Sequence, residues 1–219
     1  MNSVIICKTY ADLPFCEKEI LRYAGCKKAD NTTLSLLNEC IDEIGNKPVF
    51  KVCYGKFKVT VNEDICDFGE FKLQSKNLAQ NLNGCKNAVV FAATVGIEID
   101  RLILKYGKLS PSKALFIQAI GAERIETLCD AFCNDIKKEY NMGLKPRFSP
   151  GYGDLSLESQ REIFAILNCE KHIGLTLTDG LIMSPTKSVT AIVGIGGKEK
   201  TQNKCDNCNN VNCSFRGKI

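Results

Sequence analysis

The sequence predicts an α+β fold: a single domain with a twisted, mainly antiparallel sheet and long helices. Three observations lead there. Apolar residues recur at helical spacing between polar ends, most extensively over 111–140. β-Branched apolar runs at 88–94 and 188–195 have the composition of buried strands. The 219 residues are enough to bury one substantial core without a second domain. Residues 1–200 form the expected domain, and 201–219 a cysteine-rich C-terminal tail.

In order, 4–7 read as a short strand, after which Asp12 caps a helix over 13–24 that stops at Gly25. A second helix takes Thr32 or Thr33 as its cap, buries Leu34, Leu37 and Ile41, and ends at Gly45. The period then changes to two, and 49–54 and 56–61 alternate as a hairpin turning near Gly55. An acidic connection over 62–69 leads to a strand at 71–73 and a capped helix at 75–82. Gly84 and Gly96 flank the run 88–94, which belongs in the middle of the sheet. The helix 97–106 ends at Gly107, and Ser110-Pro111 opens another that runs to Tyr140. Beyond a loop of prolines and glycines, Ser156 caps a helix over 157–167 whose Glu158 and Glu162 suit its dipole. Strands at 175–177, 181–183 and 188–195 follow, broken by turns at Asp179-Gly180 and Ser184-Pro185.

The net charge of +4 is spread along the chain without a Lys/Arg block, which argues against nucleic-acid partners. No apolar run approaches the roughly 20 residues of a membrane span, and no signal-peptide pattern opens the chain, so a cytoplasmic protein is expected. Thirteen cysteines, an odd number without a secretion signal, read as reduced thiols. Cys129 and Cys133 on a helix and Cys53 in a strand act as small apolar residues.

The candidate cleft is the stretch Arg147-Phe148-Ser149-Pro150-Gly151-Tyr152-Gly153-Asp154. Pro146 and Pro150 bias their preceding residues toward extended backbone, while Gly151 and Gly153 let a ligand approach the main chain. Arg147 offers a planar fork to a carboxylate, and Tyr152 a flat ring with a hydroxyl. An amino-acid nucleoside satisfies all three; an ordinary surface turn has the same composition. The second candidate is the acidic connection, where Asp64 or Asp67 offers a carboxylate to an ammonium group. Ser184 and Ser188 suit either a ligand hydrogen bond or turn chemistry.

Several blocks together resemble the activation domain of cobalamin-dependent methionine synthase. They are Val89-Val90-Phe91-Ala92-Ala93-Thr94-Val95-Gly96, Ala122-Glu123-Arg124-Ile125, Arg147-x-x-x-Gly151-Tyr152 and the run from Leu175 through Ser184-Pro185-Thr186-Lys187-Ser188-Val189. The resemblance implies S-adenosylmethionine as ligand, held by Arg147, Phe148, Gly151 and Tyr152, with Asp64 or Asp67 on its ammonium and Ser184 and Ser188 nearby. It also implies that the helix carrying Glu123 and Glu126 faces the corrin ring; a charged solvent face explains the same residues. The implied activity is reductive methylation of cob(II)alamin, with cobalamin presented by a partner methionine synthase and an electron from a flavodoxin- or ferredoxin-like donor. The sulfonium methyl is already electrophilic, so no catalytic side chain is expected. The domain would act as a separate protein, shorter than the fused form over 82–88. The alternatives are an activator of another corrinoid methyltransferase and a non-catalytic sensor of S-adenosylmethionine or metal.

Two motifs are set aside. Val193-Gly194-Ile195-Gly196-Gly197 lacks the following helix that a phosphate-binding glycine loop requires. His172, the only histidine, stands in Glu170-Lys171-His172-Ile173-Gly174-Leu175, which departs from the Asp-x-His-x-x-Gly anchor of cobalamin carriers. In the tail, Cys205, Cys208 and Cys213 have spacing suited to zinc or an iron-sulfur cluster, or belong to a loose thiol segment.

Overall fold

The computed structural model describes residues 3–26 and 28–196. The tail cysteines Cys205, Cys208 and Cys213, and the domain boundary near 200, lie outside the described residues. The elements run β1 (Ile5–Tyr10), α1 (Glu17–Tyr23), α2 (Asn31–Ile44), β2 (Phe50–Lys58), β3 (Thr60–Asn62), β4 (Ile65–Asp67), β5 (Lys72–Gln74), α3 (Lys76–Leu82), β6 (Asn87–Thr94), α4 (Glu98–Leu109), α5 (Pro111–Tyr140), α6 (Ser159–Leu167), α7 (Cys169–Ile173), β7 (Thr176–Leu177), β8 (Met183–Ser184) and β9 (Ser188–Ile195).

The fold is α+β, as the sequence predicts. Four strands pair antiparallel in the order β1-β2-β6-β9, beside a three-stranded sheet β3-β4-β5 and the pair β7-β8. The lack of polar alternation in β6 demands cover on both faces of the main sheet. One face, through Val89, Phe91 and Ala93, packs on α1, α2, α4 and α5. The other, through Ala88, Val90 and Ala92, packs on α3, α6, α7 and the small three-stranded sheet. Phe132 of α5 fixes the first interface, its ring 5.1 Å from Tyr54 and 4.7 Å from Phe91. No described helix is long and apolar enough to cross a membrane.

Several boundaries differ from expectation, each for a packing reason. The expected hairpin at Gly55 is one continuous strand, β2, in which Gly55 pairs with Ile5 on one side and Val90 on the other. A Cβ there would lie 2.8 Å from the Phe57 ring, so the glycine makes room for an aromatic and not for a turn. Helix α1 begins at Glu17 and not at Leu13, because Arg124 takes the carbonyls of Leu13 and Pro14 and Glu123 accepts from the Cys16 N–H. Asp12, at φ 53°, caps nothing in α1, and α2 is capped by Asp30, not Thr32 or Thr33; Asp30 accepts from the Thr33 N–H at 2.8 Å. Helix α4 runs through Gly107, where a Cβ would meet nothing. Ser156 stands before a turn, its Oγ accepting from the Glu158 N–H, and α6 starts at Ser159.

Candidate functional site

Residues 143–148 lie along the edge of β9 as a short extra strand. Lys145 N–H donates to the Gly194 carbonyl, Phe148 and Ile192 exchange bonds of 2.9 and 2.8 Å, and Gly196 N–H donates to the Gly143 carbonyl. The extended bias of a proline-bounded segment suits this pairing. Strand alternation then sends neighbouring side chains to opposite faces. Phe148 enters the core shared with α3 and α6, and Arg147 turns to α5.

There the guanidinium, 16% exposed, donates to Glu126 Oε2 at 2.7 Å and Asp130 Oδ1 at 2.5 Å. Burial works against its charge, but Cys129, Asp130 and Glu126 outweigh it and hold its pKa above the ordinary value. The planar fork therefore already faces two carboxylates, the geometry that a ligand carboxylate requires. Burial in turn pushes the neighbouring Cys129 and Cys133 thiols up.

Beyond Phe148 the loop tightens into a turn. Tyr152 N–H donates to Ser149 O, Gly151 N–H to Leu155 O and Leu155 N–H to Tyr152 O, all within 3.1 Å. Gly151 and Gly153 have φ of +82° and +57°. A Cβ on Gly153 would come 2.6 Å from Asn77 Oδ1, so glycine is required for backbone conformation and for close approach to α3. Asp154 completes the attachment: its carboxylate accepts from the N–H groups of Lys76 and Asn77, at 2.8 and 3.1 Å, and from Ser75 Oγ. The Ser75 hydroxyl and these N–H groups hold the Asp154 carboxyl below its ordinary value. The result is a loop clamped at both ends that presents Tyr152, 60% exposed, edge-on to Phe148 at 5.5 Å.

The structure brings together some of the expected residues and separates others. Asp64, in the turn between β3 and β4, and Asp67, at the end of β4, lie with the small sheet, on the face opposite Arg147. Asp64 accepts from Gln74 Nε2 at 3.0 Å and borders an open cavity of about 540 Å³ with Glu63, Lys76 and Gln80. That cavity lies along a different flank of α3 from Asn77 and Asn81, which contact the loop. Asp67 is paired with Lys72 at 2.8 Å, which with the Gly69 N–H lowers its pKa. Ser188 is buried and donates to Thr94 Oγ1 or Pro185 O; Ser184 is exposed on β8.

Glu123 departs from the reading that turns it toward a partner's corrin ring. It is 2% exposed and holds Arg124 at 2.6 Å, the Cys16 N–H and Thr127 Oγ1, so it is internal. Glu126 is directed to Arg147. Sequence reasoning missed Asp130, one helical turn from Glu126 on a helix already singled out, and it placed Asp154 in the loop without its role, because nothing local marks it as a cap for another segment. Asn81 Oδ1, whose side chain also donates to the Pro146 carbonyl, Gln160 Oε1 on α6 and Thr190 Oγ1 on β9 are buried without a hydrogen-bond partner among the described residues. Each such orphan costs about 1–3 kcal/mol unless a donor reaches it.

Residues 133–210 match the family model described as vitamin B12 dependent methionine synthase, activation domain. No curated protein matches the chain. Among solved structures, the crystal structure of the MetH reactivation domain bound to AdoHcy has the same fold, with a TM-score of 0.67 at 14% identity over 91% of this chain and 80% of that one. Both findings fall on the family that the sequence resembles.

Proposed function

We propose that this chain, with a segment of the methionine synthase activation-domain family on the fold of the MetH reactivation domain, is a reactivation module that binds S-adenosylmethionine. It serves a partner methionine synthase that presents the cobalamin. The single observation that carries the reading is the clamped loop with Arg147 held between two carboxylates on one side and Tyr152 exposed on the other.

The residues fit the amino-acid end of that ligand. A ligand carboxylate replaces Glu126 or Asp130 on the Arg147 fork, and the displaced acid is then positioned for the ammonium. This pairing is favoured over Asp64 and Asp67, which lie across the sheet. Tyr152 and the backbone around Gly151 receive the nucleoside, and the orphaned Asn81 Oδ1 suits one of its N–H or O–H donors. When bound, S-adenosylmethionine supplies an electrophilic methyl to cobalamin that a flavodoxin- or ferredoxin-like donor has reduced by one electron. The chain's own contribution is orientation, so this methyltransferase component requires no general base.

Titration calorimetry with S-adenosylmethionine and S-adenosylhomocysteine tests the site. Arg147→Ala should bind both roughly 10- to 100-fold more weakly, the loss of a charge-assisted contact of about 1.5–3 kcal/mol, with an unchanged circular dichroism spectrum. Equal affinities would remove Arg147 from the site. Formation of S-adenosylhomocysteine with an oxidised methionine synthase and reductant distinguishes a reactivating enzyme component from a ligand sensor.

A further inference from the structure

Four side chains outside the candidate site meet where β1, β2 and α7 pack together. Cys7 and Cys53 are directly opposite in the β1–β2 pairing, and Cys169 and His172 lie one turn apart on α7. Cys7 Sγ is 3.4 Å from His172 Nδ1. Cys53 and Cys169 are buried, whereas Cys7 is exposed. Opposed residues of an antiparallel pair have Cα atoms about 4.5 or 5.5 Å apart. Both separations lie in the Cα range a disulfide spans, so the register puts Cys7 and Cys53 at a spacing compatible with one. A soft metal is another use for three thiols and an imidazole, but no three metal-binding groups among the described residues are arranged to hold an ion.

We propose that Cys7 is a site of thiol–disulfide exchange with a small disulfide of the oxidised-glutathione class, and that Cys53 resolves the adduct into a Cys7–Cys53 disulfide. In the first step the Cys7 sulfur attacks one glutathione sulfur, the glutathione S–S bond breaks, and one glutathione thiolate leaves. The Cys7 proton passes to His172 and from there to the departing thiolate. In the second step the Cys53 sulfur attacks the Cys7 sulfur, and the second glutathione leaves with the proton that Cys53 gives up. Two protein thiols are oxidised to one disulfide while one glutathione disulfide is reduced to two glutathiones.

The neighbours divide this work. The neighbouring Cys169 thiol lowers the Cys53 pKa while its own is raised, which favours Cys53 over Cys169 as the resolving sulfur. Desolvation and the nearby Cys53 raise the Cys7 thiol, so entry should become faster as pH rises.

The test incubates the reduced full-length protein with oxidised glutathione, quenches in acid and maps disulfides by peptide mass spectrometry. Wild type should yield linked Cys7 and Cys53 peptides. Cys53→Ser and Cys53→Ala should stop at a Cys7–glutathione adduct, and Cys7→Ser should leave Cys53 and Cys169 reduced. His172→Gln should slow adduct formation at neutral pH by about tenfold. Equal labelling of Cys16, also exposed, would overturn the proposal, as would a Cys7 adduct that persists in wild type. Thiols that react only after a chelator is added would overturn it in favour of metal coordination. The wild-type map is decisive even where a variant fails to fold.

Discussion

Gly153 shows how narrowly one residue can be specified. Its φ of +57° disfavours a side chain, and Asn77 occupies the space that a Cβ would take. Gly153→Ala should therefore lower stability by about 1–3 kcal/mol in urea denaturation and weaken ligand binding through loosening of the turn. Acidic residues near Arg147 carry a second prediction. Glu126→Gln should reduce affinity for S-adenosylmethionine several-fold more than Asp64→Asn, because Glu126 contacts the guanidinium and Asp64 does not. Calorimetry showing the reverse order would return the ammonium to the small sheet. Arg147 was legible in the sequence because guanidinium chemistry is intrinsic to the residue. Its two partners were not, because they are selected by strand alternation at the β9 edge.

At the scale of elements, the loop and α3 act as one unit through Asp154. The carboxylate satisfies N–H groups at the start of α3, which otherwise lack partners. Its folded-state pKa is lowered, so its stabilisation is complete above the ordinary aspartate pKa and is lost as pH falls through the lowered folded value. Asp154→Asn should accordingly melt below wild type at neutral pH, and the two melting temperatures should converge in acid below the ordinary aspartate range. A pH-independent difference would assign the effect to shape and not to charge. Helix α5 and strand β6 were read from periodicity because each is long and strongly patterned. The start of α1 was misread because its carbonyls are claimed by Arg124, more than a hundred residues away in sequence.

Across the whole molecule, the buried Glu123–Arg124 pair links the N-terminal segment to the longest helix. Arg124 is 1% exposed and its guanidinium lies 4.0 Å from the Phe15 ring centroid. Arg124→Met leaves Glu123 buried without its counter-charge and should cost about 3–5 kcal/mol in urea denaturation. Replacing both residues by well-packed neutral ones should cost less, because no charge is stranded. If the single and double variants are equally unstable, the pair acts through packing alone.

The sequence by itself determined the α+β class, the central strand, the long helix and the loop from Arg147 to Asp154, because periodicity, β-branching and the backbone limits of glycine and proline are local properties. Its order of blocks also pointed to the activation-domain family. Tertiary structure decided which face of the sheet each site residue occupies, turning Arg147 to Glu126 and Asp130 and away from Asp64 and Asp67. It also decided that Glu123 is internal and that Cys7, Cys53, Cys169 and His172 form one cluster. The physical reason is that side-chain partners are set by strand register and helix docking, which join residues that no local pattern in the chain connects.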